Sequence, residues 1–341
     1  MTSALAASAL LARPGAVAGS GPDATVPLHY GDPVREQRAL VNGVGWVDRS
    51  NRGVLAVPGA DRLSWLHSIT AQHLSALPDG AGTEALVLSP HGHVEHHLLV
   101  AESAGTTWLD VEPGTAVELL GYLESMRFML RVQPRDASAE LAVVSLVGPG
   151  VAGALAAAGL PVPADPYAVE PLPGGGFVRR MRWPAPDAAD LLVPRGSLVE
   201  LADRLTAVAT PAGTWAYEAA RVADRRPRLG LETDHRTIPH EVGWIGVAVH
   251  LDKGCYRGQE TVARVQNLGR PPRRLVLLHL SGESEQLPAP KTPVLLDGRA
   301  VGFVGTAVRH HELGPIALAL VKRTVPDDAG LLVAGQPAAI D

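Results

Sequence analysis

Apolar residues along this chain fall into short blocks of two periods. Residues 53–57, Gly-Val-Leu-Ala-Val, form an apolar run closed by Pro58 and Gly59, which predicts a strand ended by a turn. Leu63, Leu66, Ile69 and His73 then recur at spacings of three and four, the period of a helix, with Asp61 placed to cap its first turn. Residues 84–88 and 97–102 are extended runs on either side of Ser89, Pro90, His91, Gly92 and His93, the pattern of a hairpin. Residues 108–111 add another strand. Residues 117–129 are helical, with Leu119, Leu120, Leu123 and Met126 on one side. Together they make a first α+β domain, residues 28–135.

The alternation then repeats. Residues 142–147 predict a strand, 151–158 a short helix, 191–193 a strand, and 198–209 and about 214–223 helices, with Ser197 as a candidate N-cap. Gly174, Gly175 and Gly176 precede Phe177 as a hairpin turn and lack the spacing of a phosphate loop. This second α+β domain covers residues 136–272, and chain crossover between the two domains is expected. From residue 273 to 341 the apolar blocks become uniformly short. Residues 275–278, 294–296, 301–304 and 316–321 are strand candidates, and Asp297-Gly298 is a hairpin turn between two of them, so a small antiparallel barrel is expected. Residues 1–27 are Ala, Gly, Pro and Ser with little periodicity and read as a flexible extension.

Composition narrows the function classes. Hydrophobic residues make up 46% and charged residues 19% of 341, enough apolar material for full cores. A formal net charge of -5 and sparse aromatics argue against a nucleic-acid-binding surface, although Arg270, Arg273 and Arg274 form a local basic patch. No apolar run reaches 18 residues, so no membrane helix is expected. The single cysteine, Cys255, excludes an internal disulfide and any cluster or metal site needing two thiolates from one chain. A lone thiol suits the reducing cytoplasm. His91, His93, His96 and His97 invite a metal reading, but the turn at Pro90 and Gly92 does not give the three or four convergent ligands that zinc requires, and no metal site is expected.

The densest chemistry lies around that thiol, in Lys253-Gly-Cys-Tyr-Arg-Gly-Gln-Glu260. Gly254 and Gly258 bracket Cys255 and allow backbone angles closed to other residues. Val262 and Val265 can share one face of a helix starting near Gln259, whose first turn would offer free N–H groups. Lys253, Arg257 and Arg264 favour a thiolate if they face it. The plain alternative is a buried, inert cysteine in a turn shaped by glycines.

The same stretch resembles the signature of the YgfZ-type folate-binding proteins, relatives of the glycine cleavage system T-protein, an aminomethyltransferase. Thr261-Val-Ala-Arg264, Arg228-Leu-Gly230, Thr237-Ile-Pro-His-Glu241 and Val57-Pro-Gly-Ala-Asp61 extend the resemblance, with Leu66, Ile69 and Thr70 completing that first block. Gly302-Phe-Val-Gly305 and Ala317-Leu-Ala-Leu-Val321 carry it into the terminal barrel. It implies two related α+β domains and a C-terminal antiparallel β-barrel around a central folate-type cavity. It also implies tetrahydrofolate or a one-carbon derivative as cofactor, no preassembled iron–sulfur cluster, and a role in assembly or repair of iron–sulfur client proteins, including enzymes that modify tRNA. Cys255 is the residue that role would need, with Lys253 and Tyr256 as its companions. Arg221, Asp224, Arg228, Gln259, Glu260, Arg264, His96 and His97 are the candidate folate contacts, and a monomer or weak oligomer is expected.

Two departures matter. His96 and His97 stand where T-proteins carry neighbouring aspartates, which disfavours T-protein-type aminomethyl transfer. Arg221-Val-Ala223 replaces an Arg-x-Glu segment, so a pterin-binding carboxylate is missing, with Asp224 one position later. Beside the iron–sulfur factor stand two alternatives, a folate-dependent one-carbon transferase and a non-catalytic binding scaffold.

Overall fold

Leu141–Val147 is apolar at all but one position, and it becomes the buried centre of a six-stranded sheet. The order across that sheet is Val169–Pro171, Phe177–Met181, Ala188–Pro194, Leu141–Val147, Gly45–Asp48 and Thr210–Ala212. All neighbours are antiparallel except the last pair. A five-stranded sheet runs Ala81–Leu88, Val94–Ser103, Thr106–Val111, Gly53–Pro58 and Arg135–Asp136. Val54, Ala56 and Ala101 of this sheet pack against Val143, Phe177 and Leu192 of the other. The opposite face of the six-stranded sheet is covered by the helices Val151–Ala157 and Leu198–Thr206, through Leu155, Leu201 and Leu205.

The computed structural model describes residues 5–341, and they form two units. The first holds the six-stranded sheet and most of the five-stranded one, from the N-terminal side to Ile69, then His73–Ala85 and Leu98–Tyr217. The second holds Thr70–Gln72, Leu86–His97 and Glu218–Asp341. Most of the two α+β domains expected from the sequence falls in the first unit, where Gly45–Asp48 pairs with Leu141–Val147 far along the chain, while residues 218–272 fall in the second. The cysteine segment, expected with the second α+β domain, lies in the unit of the barrel.

The barrel closes in the order Arg273–Leu280, Gly314–Lys322, Arg299–His310, Pro293–Leu296, Leu331–Val333 and Gln336–Ile340. Its interior is small and branched, with Val276, Leu278, Val304, Ala317, Ala319 and Val321. Asp297 and Gly298 both take positive φ, +50° and +75°, as a two-residue hairpin turn demands. The fold class is therefore mixed α and β with a C-terminal six-stranded antiparallel barrel.

Several local expectations need correction. Residues 5–27 are not a flexible extension. Ser8 caps a short 3-10 helix, Ala9–Ala12, and Val17–Ala18 pairs with Pro27–His29. Leu10 is fully buried beside Trp46, and Asn51 donates to the carboxylate of Asp23 at 2.7 Å. One leucine and a few polar bonds tether a segment whose composition gives no periodic signal; residues 1–4 of that extension lie outside the described residues. Asp61 does not cap with its side chain, because its carboxylate receives the backbone N–H of Arg131 at 2.8 Å and that residue's guanidinium at 2.6 Å. Ser197 occupies the N-cap position of the helix Leu198–Thr206 as expected, but its side chain makes no cap bond. Among the described residues no helix is long and apolar enough to cross a membrane.

Candidate functional site around Cys255

The second unit seats the cysteine loop on two distant stretches. The first is the turn between the strands Ala81–Leu88 and Val94–Ser103. Ser89 donates its N–H to His93 at 2.8 Å, and its hydroxyl accepts from the N–H groups of His91 and His93. Gly92 at its tip has φ +78°. Gly258 of the cysteine loop, φ +83°, lies directly on this turn. A Cβ at Gly258 would sit 2.6 Å from the Ser89 carbonyl oxygen and 2.8 Å from Gly92 Cα. Backbone touches backbone there, and only glycine permits it. Gly254 is different: its φ is not positive, and a Cβ there would meet nothing within 4 Å. Of the two bracketing glycines, only Gly258 is required by the geometry.

Gly258 also opens the helix Gln259–Leu268, which buries Val262 and Val265 and ends at Gly269 in the left-handed region. Arg257 forms an ion pair with Glu95 at 2.9 Å, which fixes the loop to the strand Val94–Ser103. Tyr256 is buried with Leu88, Val94, Trp244 and Val249, and burial pushes its hydroxyl up to about 12. Cys255, between buried Tyr256 and exposed Gly254, is itself exposed.

Lys253 is buried, and burial lowers its ammonium to about 8. Its Nζ donates to the carbonyl of Thr70 at 2.6 Å and to that of Gln72 at 3.2 Å. These carbonyls belong to the second stretch, Thr70–Gln72, which is further bonded to Leu86, His250 and Val247. Lys253 turns to main-chain carbonyls and Arg257 to Glu95, while Arg264 is exposed on the helix face.

His96 and His97 are neighbours on a strand and so project to opposite faces, yet both are buried. Burial lowers His96 to about 4, so its imidazole is neutral at pH 7 and a weak base. His97 stacks on Trp244 with ring centroids 4.7 Å apart and planes at 20°. Neither supplies a permanent negative charge. The carboxylate beside them, Glu95, is held by Arg257.

The arginines expected to attract a folate tail separate into two sets. Arg221 is fully buried. It bonds Glu218 at 2.5 Å, Glu232 at 3.2 Å, Thr306 at 2.6 Å and the carbonyl of Arg226. Arg228 pairs with the other oxygen of Glu218 at 3.1 Å. Two guanidinium and two carboxylate groups close on one another, so both arginines are engaged in ion pairs within the fold, and removing one member of such a buried set is strongly destabilising. Asp224 is exposed and paired with Arg226 at 3.0 Å. Gln259, Glu260 and Arg264 lie on the first turns of the helix after the loop, half-buried or exposed. Among the described residues no group of three or more His, Cys, Asp or Glu side chains is placed to hold a metal.

Sequence reasoning missed three members of this site. Thr70 and Gln72 act through their main-chain oxygens, which no side-chain pattern reveals. Trp244 partners His97 from 147 positions away, and nothing local marks it.

The family model described as GCVT N-terminal domain matches residues 9–253. An aminomethyltransferase of Nostoc sp. is 28% identical over 310 residues, covering 87% of this chain and 81% of that protein. A putative chloroplastic transferase of Arabidopsis thaliana is 28% identical over 275 residues, covering 77% of this chain and 62% of that protein. The crystal structure of glycine cleavage system aminomethyltransferase T from Bartonella henselae superposes with a TM-score of 0.84 at 21% identity, covering 97% of this chain and 94% of that one. On the extent of the match to its model, the chain belongs to the GCVT N-terminal domain family.

Proposed function

We propose that this protein is a tetrahydrofolate-linked factor of the YgfZ type, which supports assembly or repair of iron–sulfur proteins through Cys255. One observation carries the reading: Cys255 is exposed while its motif companions Lys253 and Tyr256 are buried. A merely structural cysteine is usually the buried member of its loop. Here the neighbours are anchored and the thiol is offered outward. With one thiolate per chain, a cluster held there takes its remaining ligands from a client protein or a small thiol. Enzymes that modify tRNA are clients of the kind the motif implies.

Folate is supported by family membership and by Arg264, an exposed cation with no ion pair among the described residues that suits the anionic folate tail. Gln259 and Glu260 lie half-buried and exposed at the start of the helix, Asp224 is exposed and paired with Arg226, and Arg221 and Arg228 are engaged in buried ion pairs. When bound, the folate would supply one-carbon chemistry, while this chain's residues would orient it.

The test is complementation in cells lacking the protein, read as the activity of iron–sulfur enzymes under oxidative stress. Wild-type protein restores those activities and Cys255→Ala does not. Full restoration by Cys255→Ala would remove the thiol from the function and leave a binding scaffold. A second reading, a folate-dependent one-carbon transferase, is favoured by the similarity to aminomethyltransferases. Turnover of an aminomethyl or methyl donor with tetrahydrofolate would establish it. The neutral, weakly basic His96 in place of an aspartate counts against it.

A further inference from the structure

We propose that Lys253 is a positioning residue, whose buried ammonium clamps Thr70–Gln72 against the cysteine loop and so fixes how Cys255 is presented. The clamp is defined by two bonds from one nitrogen, to the carbonyl oxygens of Thr70 and Gln72 at 2.6 and 3.2 Å. Between them, Ala71 donates its N–H to the Leu86 carbonyl at 2.8 Å and accepts from the His250 N–H at 2.9 Å. The Gln72 side chain donates to the Val247 carbonyl at 2.8 Å. This three-residue segment is therefore tied to the strand before the hairpin turn, to the 247–250 loop and to Lys253. The ammonium lies 5.4 Å from the centroid of the Tyr256 ring, whose face helps to enclose it. Lys253 and Tyr256 flank Gly254 and Cys255, so both ends of the exposed dipeptide are anchored in the interior.

A lysine that meets main-chain carbonyls in a desolvated slot does work different from a lysine that stabilises a thiolate. Its charge offsets the cost of enclosing those two oxygens away from water, and charge-assisted bonds are the stronger kind. Removing it leaves two enclosed carbonyls without that donor and loosens the segment, whatever the thiol does.

The clamp deepens the thiol reading above but is measured independently of it. Amide hydrogen exchange at Ala71 and His250 is compared among wild type, Lys253→Met, Lys253→Arg and Cys255→Ala, alongside the pH profile of the Cys255 reaction with Ellman's reagent. In Lys253→Met the two amides lose protection about 10- to 100-fold, the loss expected for a charged hydrogen bond. The limiting rate of the thiol reaction rises as the loop is freed, while the pH midpoint of the profile stays in place. Lys253→Arg, which keeps the charge and the donors, returns protection toward wild type. Cys255→Ala leaves it unchanged, so a failed thiol reading does not touch this result. Unchanged protection in Lys253→Met overturns the proposal. A shifted midpoint with protection intact also overturns it, by making Lys253 an electrostatic partner of the thiolate. If Lys253→Met does not fold, Lys253→Gln takes its place: partial loss of protection supports the clamp, and wild-type protection overturns it.

Discussion

Gly254 and Gly258 look alike in the sequence and are unlike in the molecule. A methyl group at Gly258 collides with the Ser89 carbonyl and with Gly92, in a backbone conformation that L side chains rarely adopt. Gly258→Ala should therefore destabilise the protein by about 2 kcal/mol or more. Gly254→Ala meets open space and should stay within about 0.5 kcal/mol of wild type. Urea midpoints of the two variants check this directly, and equal midpoints would contradict it. The motif was legible because residue types were spelled out in one run. The division of labour within it was not, because Ser89, Thr70 and Gln72 act through backbone atoms more than 160 positions away. His96 illustrates the same limit from the electrostatic side. Its substitution for an aspartate is readable, but its titration depends on burial. An imidazole at the ordinary 6.5 in the unfolded chain is lowered to about 4 in the fold. Between those values the unfolded chain binds a proton that the folded one does not. Stability from this group is thus full above about pH 6.5 and is lost as pH falls toward 4, by about 3 kcal/mol at most. His96→Gln should flatten the pH dependence of the urea midpoint between pH 7 and 4.5, and a slope identical to wild type would exclude this cause.

At the scale of elements, periodicity worked where the element makes its own case. The helix Thr214–Ala223 and the barrel strands Pro293–Leu296 and Gly314–Lys322 sit within a few residues of their apolar patterns. It failed where tertiary partners decide. The strand Arg299–His310 is twelve residues long, although only residues 301–304 carry a strong extended signal, because it pairs on both sides with Pro293–Leu296 and Gly314–Lys322. The helix Ala116–Ser125 stops before Met126, and residues 126–131 leave helical geometry with Phe128 at φ +48°. Bonds from Arg131 to Asp61 hold the end of that turn, a contact across 70 positions. The N-terminal segment departs from its pattern for the same reason. Alanine, glycine and proline say little about order when a single side chain, Leu10, fills a place in a core built by residues far along the chain.

At the scale of the molecule, the route of the chain carries a consequence for how it can be divided. The second unit is not continuous. Its core around the cysteine loop joins Ala71, Leu86, Leu88 and Val94 to Val242, Trp244, Val249, Tyr256 and Val262. A fragment of residues 218–341 keeps every barrel strand but lacks Thr70–Gln72 and Leu86–His97. Such a fragment should retain β structure while its cysteine segment loses the surface it packs on. Trp244 makes the outcome measurable, since it is the single tryptophan between residues 218 and 341. In the full chain it is buried and stacked on His97. In the fragment its emission should move to that of a solvent-exposed tryptophan, and Lys253, deprived of the Thr70 and Gln72 carbonyls, should become open to acylation. Far-UV circular dichroism reports whether the strands persist. Buried-type emission from a folded fragment would show that the cysteine segment holds its form without the two distant stretches, and the loop would then owe its geometry to residues 218–341 alone.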